Sequence, residues 1–397
     1  MHNTRQDNTR ANRCYLVAPF SPEHRDGRST SAARSVAATS LQELGRLCEA
    51  AGLTSAAGEL VHVRRPHPAL YLGQGQAERV IAHAEEYDAG VIVFDNTLSP
   101  VHLRNWARAA HREIYDRHAV ILEIFFRRAK TRESQLQVEL ARAKYAQSHL
   151  VGMWQHLGRQ EGGSRLARGE GEQQIELDRR RLAQRVFRAT QSLKKVSRQR
   201  ELQRRGRAEF FQATLVGYTN AGKSSLLNVL TGSDVRAANQ LFASLDSTTR
   251  RRTFPDGTTV LLSDTVGFIS QLPPELVDAF HSTLEEVLEA DLLLIVLDAA
   301  DPNAEEQFRT TIGILSDIGA TKNHRVLVLN KTDQADPASV HGLGILGHGS
   351  GITEVIPVSA HTGEGIAELE GCLKKHGTVF SGGHLPPYSR GSDDPAS

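Results

Sequence analysis

At 397 residues, with 39% apolar and 23% charged residues, the chain is too long for one ordinary core and too apolar for wholesale disorder, so it reads as two or three domains. A net charge of +1 conceals an asymmetry. Between Glu123 and Glu209, 21 Lys or Arg stand against 10 Asp or Glu, and Arg179 to Arg207 holds 12 against one, a basic middle suited to a polyanionic partner.

The polar N-terminus, residues 1–13, lacks an apolar signal core and reads as disordered. Cys14 to Phe20 is a short apolar strand candidate, Pro22 to Ser29 is turn-like, and Leu41 to Ala51 has helical spacing. Leu60 to Val63 reads as a strand, Gln76 to His83 as the opening of a helix, and Gly90 to Asp95 and His118 to Leu122 as two further strands. This alternation predicts a small α/β domain over residues 14–122. Gly73 and Gly75 do not make a dinucleotide loop, because Glu78 stands where a third glycine is required; they read as an ordinary turn.

Residues 123–208 carry no strand signal. Leu136, Leu140, Ala143, Leu150, Trp154 and Leu157 fall on one helical stripe, interrupted at Gln147, and Leu182, Val186, Ala189, Leu193 and Val196 repeat the pattern. Two such stripes predict an antiparallel helical hairpin. Its connection, Gly158 to Gly171, carries five glycines with Arg159, Arg165 and Arg168, which read either as a solvated connector or as a basic tip that meets a polyanion.

From Glu209 to residue 378 the texture changes to apolar strands and glycine-rich turns, and residues 379–397 read as a disordered tail. Phe211 to Val216 runs into Gly217-Tyr218-Thr219-Asn220-Ala221-Gly222-Lys223-Ser224, followed by a helix from Ser225 to Leu230. Strand, phosphate loop and helix occur in the order of a Walker A motif: backbone N–H groups converge on phosphates, Lys223 supplies a cation to the β and γ phosphates, and Ser224 offers a hydroxyl to Mg²⁺. Val260 to Ser263 ends in Asp264-Thr265-Val266-Gly267, where Asp264 is placed to hold the metal and Gly267 to sense the γ-phosphate. Between them, in a polar, mobile-looking stretch, Thr249 is the expected second hydroxyl ligand of Mg²⁺, with Thr248 as the alternative.

Val326 to Leu329 leads into Asn330-Lys331-Thr332-Asp333, whose Asp333 carboxylate can accept from both N–H donors of a guanine edge. Val355 to Val358 leads into Ser359-Ala360, expected to turn a backbone N–H toward the guanine carbonyl. Together these predict GTP as substrate and a P-loop GTPase domain. Phe268 occupies the place where a water-orienting glutamine often stands and cannot hydrogen-bond through its side chain. Its bland reading is packing. Catalysis then draws on ordered backbone, a partner or a cation; the candidate catalytic residues are Lys223, Thr249, Gly267 and Asn220, and Asn220 either holds a monovalent cation such as K⁺ beside the phosphates or stabilises its own loop.

The chain resembles the HflX family of ribosome-associated GTPases over about residues 14–378. The phosphate loop with Asn220, the run Leu241 to Arg250, and Asp264 to Phe268 match. So do Asp95-Asn96 with Leu98-Ser99-Pro100, Arg127 to Glu133, Gln137 to Ala141, and Glu176 with Asp178-Arg179-Arg180. The resemblance implies an N-terminal α/β domain, a helical hairpin and a G domain. It also implies binding to the large ribosomal subunit and its RNA in the GTP state, splitting of stalled or idle ribosomes, and hydrolysis stimulated by the ribosome. It implies a catalytic role for Asn220 and makes Phe268 the hydrophobic substitute for glutamine. Where the family loop has Gly-Pro-Gly-Glu-Thr, this chain has Gly169-Glu170-Gly171-Glu172-Gln173; an acid in place of proline stiffens the loop less and repels phosphate.

The alternatives are a GTP-switched RNA-binding factor in ribosome assembly or quality control, and a non-catalytic scaffold, which the complete set Lys223, Ser224, Thr249 and Asp264 disfavours. Cys14, Cys48 and Cys372 are far apart, share no metal-ligand spacing and read as reduced thiols. With no segment long and apolar enough for a membrane span, the expectation is a cytoplasmic, partly ribosome-associated protein for which no DNA partner is expected.

Overall fold

The computed structural model describes residues 12–21, 30–157, 165–205, 209–233, 241–242, 245, 248–271, 273, 276, 286–320 and 323–381. The turn expected at Pro22 to Ser29 lies outside them, as do most of both chain ends expected to be disordered. Two compact units divide the chain, Met1–Leu193 with Pro273–Ala279, and Lys194–Leu272 with Phe280–Ser397.

The first unit is built on a fully parallel sheet in the order β2-β1-β3-β4, with β1 at Arg13–Phe20, β2 at Thr54–His62, β3 at Val91–Phe94 and β4 at Glu113–Asp116. All four residues of β3 are buried, as a parallel strand covered on both faces requires. Helices α1 (Thr30–Ala50), α2 (Gln74–Glu86) and α3 (Pro100–Ala110) connect the strands. The Gly73-Gln74-Gly75 turn is the entrance to α2: the Gly73 N–H donates to Gln76 Oε1 at 3.1 Å, and the Gln76 amide donates to the His62 carbonyl at 2.7 Å.

His118 to Leu122, expected as a strand, lies instead in helix α4 (Arg117–Arg128), which runs across the boundary expected at residue 122. A five-residue apolar run cannot distinguish a buried helix from a strand. The cap decides it: Asp116 Oδ1 accepts from the Ala119 N–H at 2.8 Å and satisfies the helix entrance. The same buried carboxylate accepts from the Leu98 N–H and the Tyr145 hydroxyl, at 3.2 and 2.9 Å. Beside it Arg117, fully buried, pairs with Asp95 at 2.8 Å and with Glu43.

Helix α5 (Arg132–Leu157) packs against α3 and α4 through its first half, where Leu136, Leu140 and Ala143 of the expected stripe are buried. Helix α6 (Arg165–Arg205) starts earlier than the sequence suggested, so Arg165 to Gly171 is helical and not loop. Leu166, Ala167, Glu170, Glu172 and Gln173 favour helix enough to carry two glycines at about 1 kcal/mol each. On α6, Ala189 is buried, whereas Arg179, Arg180 and Arg181 are exposed.

The second unit carries a six-stranded sheet in the order β10-β9-β8-β5-β7-β6: β5 at Phe211–Gly217, β6 at Thr248–Thr253, β7 at Thr259–Asp264, β8 at Leu292–Asp298, β9 at His324–Asn330 and β10 at Glu354–Pro357. All pairings are parallel except that of β6 with β7. Alternation divides the apolar residues between two cores. Leu292, Leu294 and Val296 of β8 join Leu215, while Leu293, Ile295 and Leu297 face the opposite layer with Val216. Helices α7 (Lys223–Thr231), α8 (Ala304–Asp317), α9 (Pro337–His348) and α10 (Ile366–Ser381) cover the faces. Thr248-Thr249-Arg250, expected as a mobile stretch, forms the start of edge strand β6.

Candidate guanine-nucleotide site

The phosphate loop, Asp264, Asn330 and Ser359 motifs lie at or after the C-terminal ends of parallel strands, and antiparallel β6 starts at Thr248 opposite Asp264, so all gather along one edge of the sheet, where open α/β sheets bind ligands. The phosphate loop begins where Gly217 leaves β5 with φ of +146°; an added Cβ would stand 2.2 Å from the Val296 carbonyl oxygen, and only glycine fits. Gly222, at φ +95°, is equally constrained by Asn330 Nδ2, 2.2 Å from its would-be Cβ. Asn220 sits exposed at the loop's turn with φ of +64°, a left-handed conformation that asparagine tolerates.

Lys223, the first residue of α7, is buried. Its Nζ donates to the Gly217 and Tyr218 carbonyls at 3.0 and 2.7 Å. Burial lowers its ammonium to about 8, with Asp264 opposing the shift. The loop thus holds the lysine over the strand end, where a phosphate would meet it. Ser225 follows half-buried on α7.

Ser224 Oγ donates to Asp264 Oδ2 at 2.5 Å, which brings together the two oxygen donors expected at the metal. A hydroxyl beside a buried carboxylate is a hard donor set, and it fits Mg²⁺. Thr249 is not brought to them: its hydroxyl hydrogen-bonds Ser263 Oγ at 2.9 Å. Directly opposed residues of an antiparallel pair share a face, so Thr249 shares one with Ser263, and Thr248, opposite Asp264, shares the other.

Gly267 lies against the phosphate loop. A Cβ there would approach Thr219 Cγ2 and Cα at 2.8 and 2.9 Å and Lys223 Nζ at 3.1 Å. Two backbone bonds fix this: the Phe268 N–H donates to the Gly217 carbonyl at 3.0 Å and the Thr219 N–H to the Phe268 carbonyl at 2.8 Å. The Tyr218 hydroxyl accepts from the Ser270 N–H at 2.9 Å. Phe268 itself is buried in the core with Val216, Val287 and Leu293, in keeping with the packing reading of its side chain.

In the third motif Asn330 acts as a brace. Its Nδ2 donates to the Ala221 carbonyl at 2.9 Å, and its Oδ1 accepts from the Ala360 N–H at 3.1 Å, tying two loops together. Of the two N–H groups of Ser359-Ala360, one of which is expected to face guanine, that of Ala360 is given to Asn330 and that of Ser359 to the Glu364 carbonyl at 2.9 Å. Ser359 contributes through its hydroxyl, which donates to Asp333 Oδ1 at 2.7 Å and holds that exposed carboxyl below the usual carboxylate range. An ionised, positioned acceptor results. Lys331 pairs with Asp298 Oδ2 at 2.5 Å, a partner missed in the sequence although Asp298 closes the apolar run of β8.

Three family models match consecutive segments: the GTP-binding GTPase N-terminal region over residues 38–126, its middle region over 128–207, and a 50S ribosome-binding GTPase domain over 212–331. The GTPase HflX of Magnetococcus marinus is 44% identical over 337 residues, 84% of this chain and 77% of that protein. The GTPase HflX of Spirochaeta thermophila is 42% identical over 371 residues, 93% and 86% of the two chains. The chain belongs to the HflX family of GTPases. A solved GTP-binding protein of Sulfolobus solfataricus in complex with GDP is 24% identical, covering 93% of this chain and all of that one, with a TM-score of 0.46. As an HflX-family GTPase, the chain has a P-loop domain preceded by a small α/β domain and a helical segment. Among the described residues no helix is long and apolar enough to cross a membrane.

Proposed function

We propose that this protein binds the large ribosomal subunit and its RNA in the GTP state and splits stalled or idle ribosomes, hydrolysing GTP to GDP and phosphate. The observation that carries the reading is a guanine-nucleotide site in the same chain as α6, whose exposed Arg179, Arg180 and Arg181 open a stretch of 12 basic residues against one acid. Phosphate backbones are bound by such arrays, and the family model over residues 212–331 is described as ribosome-binding. We assign residues 14–122, 123–208 and 209–378 to the N-terminal domain, the basic hairpin and the G domain, and expect the protein in the cytoplasm.

In this reading Gly217 to Ser225 cradle the phosphates, Lys223 neutralises them, and Asp333 selects guanine with Asn330, Lys331, Ser359 and Ala360 supporting it. Ser224 and Asp264 would hold Mg²⁺, which would supply charge neutralisation to the phosphates. Thr249 completes that set only if β6 detaches from β7, since it now bonds Ser263, whereas Thr248, the alternative, already shares the face of Asp264. The γ-phosphate would draw β6 away through Thr249 and be sensed by the Gly267 N–H, and hydrolysis would let the strand return. Asn220 would support K⁺, and buried Phe268 would leave turnover slow until the ribosome assists.

The deciding experiment incubates the protein with intact ribosomes and GTP, GDP or a non-hydrolysable GTP analogue and separates subunits by sedimentation. Free subunits should rise with GTP or the analogue and not with GDP. No rise at any ionic strength would sink the splitting reading; faster GTP turnover on intact ribosomes without splitting would favour the assembly or quality-control switch.

A further inference from the structure

At the opposite edge of the second unit's sheet, away from the strand ends that carry the nucleotide motifs, one group of side chains has no part in nucleotide binding. Glu354 is the first residue of β10, and Cys372 and His376 lie on α10. Their spacing of four places both on one face of the helix, a turn apart. The carboxylate, sulfur and imidazole donor atoms lie within 4.8 Å of one another, the one such group of three among the described residues. In a filled tetrahedral zinc site donors stand about 3.3–3.8 Å apart, so closure needs adjustment on the order of 1 Å.

We propose that Glu354, Cys372 and His376 form a binding site for a zinc-class divalent cation, with the fourth position left to water. Thiolate, imidazole and carboxylate together suit Zn²⁺, whereas Mg²⁺ and Ca²⁺ take oxygen donors. Two local features support a ligand here. His376 Nε2 is buried with no hydrogen-bond partner, and burial disfavours the charged imidazole, leaving the neutral form that binds metal. The Cys372 thiol is buried beside Glu354, so two of the three donors already face one another; burial also raises the thiol to about 12, a proton that the cation has to displace.

The neighbours permit the site. Lys375 Nζ holds Glu354 Oε1 at 2.7 Å, but its side chain is 66% exposed and can swing to solvent at little cost. His324, first residue of β9, lies beside His376 with ring centroids 6.0 Å apart and adds a second imidazole to the surroundings of the cation. Binding exchanges one proton for one cation: the sulfur–hydrogen bond breaks, the sulfur–metal bond forms, and the proton passes to solvent. The cation would join the sheet edge to α10, the helix that follows the Ser359-Ala360 loop.

The test uses the full chain, stripped of metal and titrated with Co²⁺ and then Zn²⁺. A thiolate-to-cobalt charge-transfer band with tetrahedral visible bands should appear at one equivalent of Co²⁺ and be bleached by one of Zn²⁺. The band should persist in the double variant Cys14→Ser/Cys48→Ser and vanish in Cys372→Ser. Glu354→Gln, which keeps the thiol, should weaken Co²⁺ binding by tenfold or more and guards against misfolding of the cysteine variant. No charge-transfer band in the wild type, a band that survives in Cys372→Ser, or Co²⁺ affinity unchanged in Glu354→Gln would each overturn the proposal.

Discussion

Gly267 has so little room beside Thr219 and Lys223 that a single methyl group tests its role. Gly267→Ala places a Cβ 2.8 Å from Thr219 Cγ2 and 3.1 Å from the Lys223 ammonium, where the γ-phosphate of GTP would have to fit and that of GDP is missing. GDP affinity should stay within a few-fold of wild type while steady-state GTP hydrolysis falls at least about tenfold, as read by fluorescent-nucleotide titration and phosphate release. Asp333 makes a complementary prediction. With Asp333→Asn the acceptor for two guanine N–H groups becomes partly a donor, costing about 2–3 kcal/mol, or roughly 30- to 150-fold in GDP affinity. Xanthine carries a carbonyl at the corresponding edge, so xanthosine diphosphate should bind the variant more tightly than GDP does; unchanged preference for GDP would remove Asp333 from base recognition.

Among the elements, α4 shows how one side chain replaces an ambiguous pattern. Asp116 accepts three hydrogen bonds from Ala119, Leu98 and Tyr145 while buried. Asp116→Ala removes the cap and strands the donors, a loss of about 2–4 kcal/mol measurable in urea unfolding, whereas Asp116→Asn, which keeps the acceptor oxygen, should lose less. Strand β6 is the corresponding element of the second unit. It is an edge strand held on one side by β7, with the Thr249–Ser263 hydroxyl pair on one face. Hydrogen exchange at Thr248 to Thr253 should quicken when the protein binds a non-hydrolysable GTP analogue with Mg²⁺ compared with GDP. Unchanged or slower exchange would show that β6 keeps its pairing in both states.

For the whole molecule, the charge asymmetry matters more than the net charge of +1. Replacing exposed Arg179, Arg180 and Arg181 with Gln should weaken association with the large subunit and flatten its dependence on salt, by about one unit of logarithmic slope for each phosphate no longer neutralised. Intrinsic GTP hydrolysis without ribosomes should be unaffected. The order of the nucleotide motifs, the basic middle and the family resemblance were legible in the sequence. Each rests on local chemistry: a strand that ends in a phosphate loop or an acid at a fixed spacing reads the same wherever it is folded. Tertiary structure decided what depends on partners remote in the chain. It made His118 to Leu122 a helix through the Asp116 cap. It turned Thr249 toward Ser263 and away from Asp264 through the β6–β7 register, and gave the Ala360 N–H to Asn330. It also brought Glu354 to Cys372 and His376, because β10 and α10 fold against the same sheet, a juxtaposition that the Cys372–His376 spacing alone does not contain.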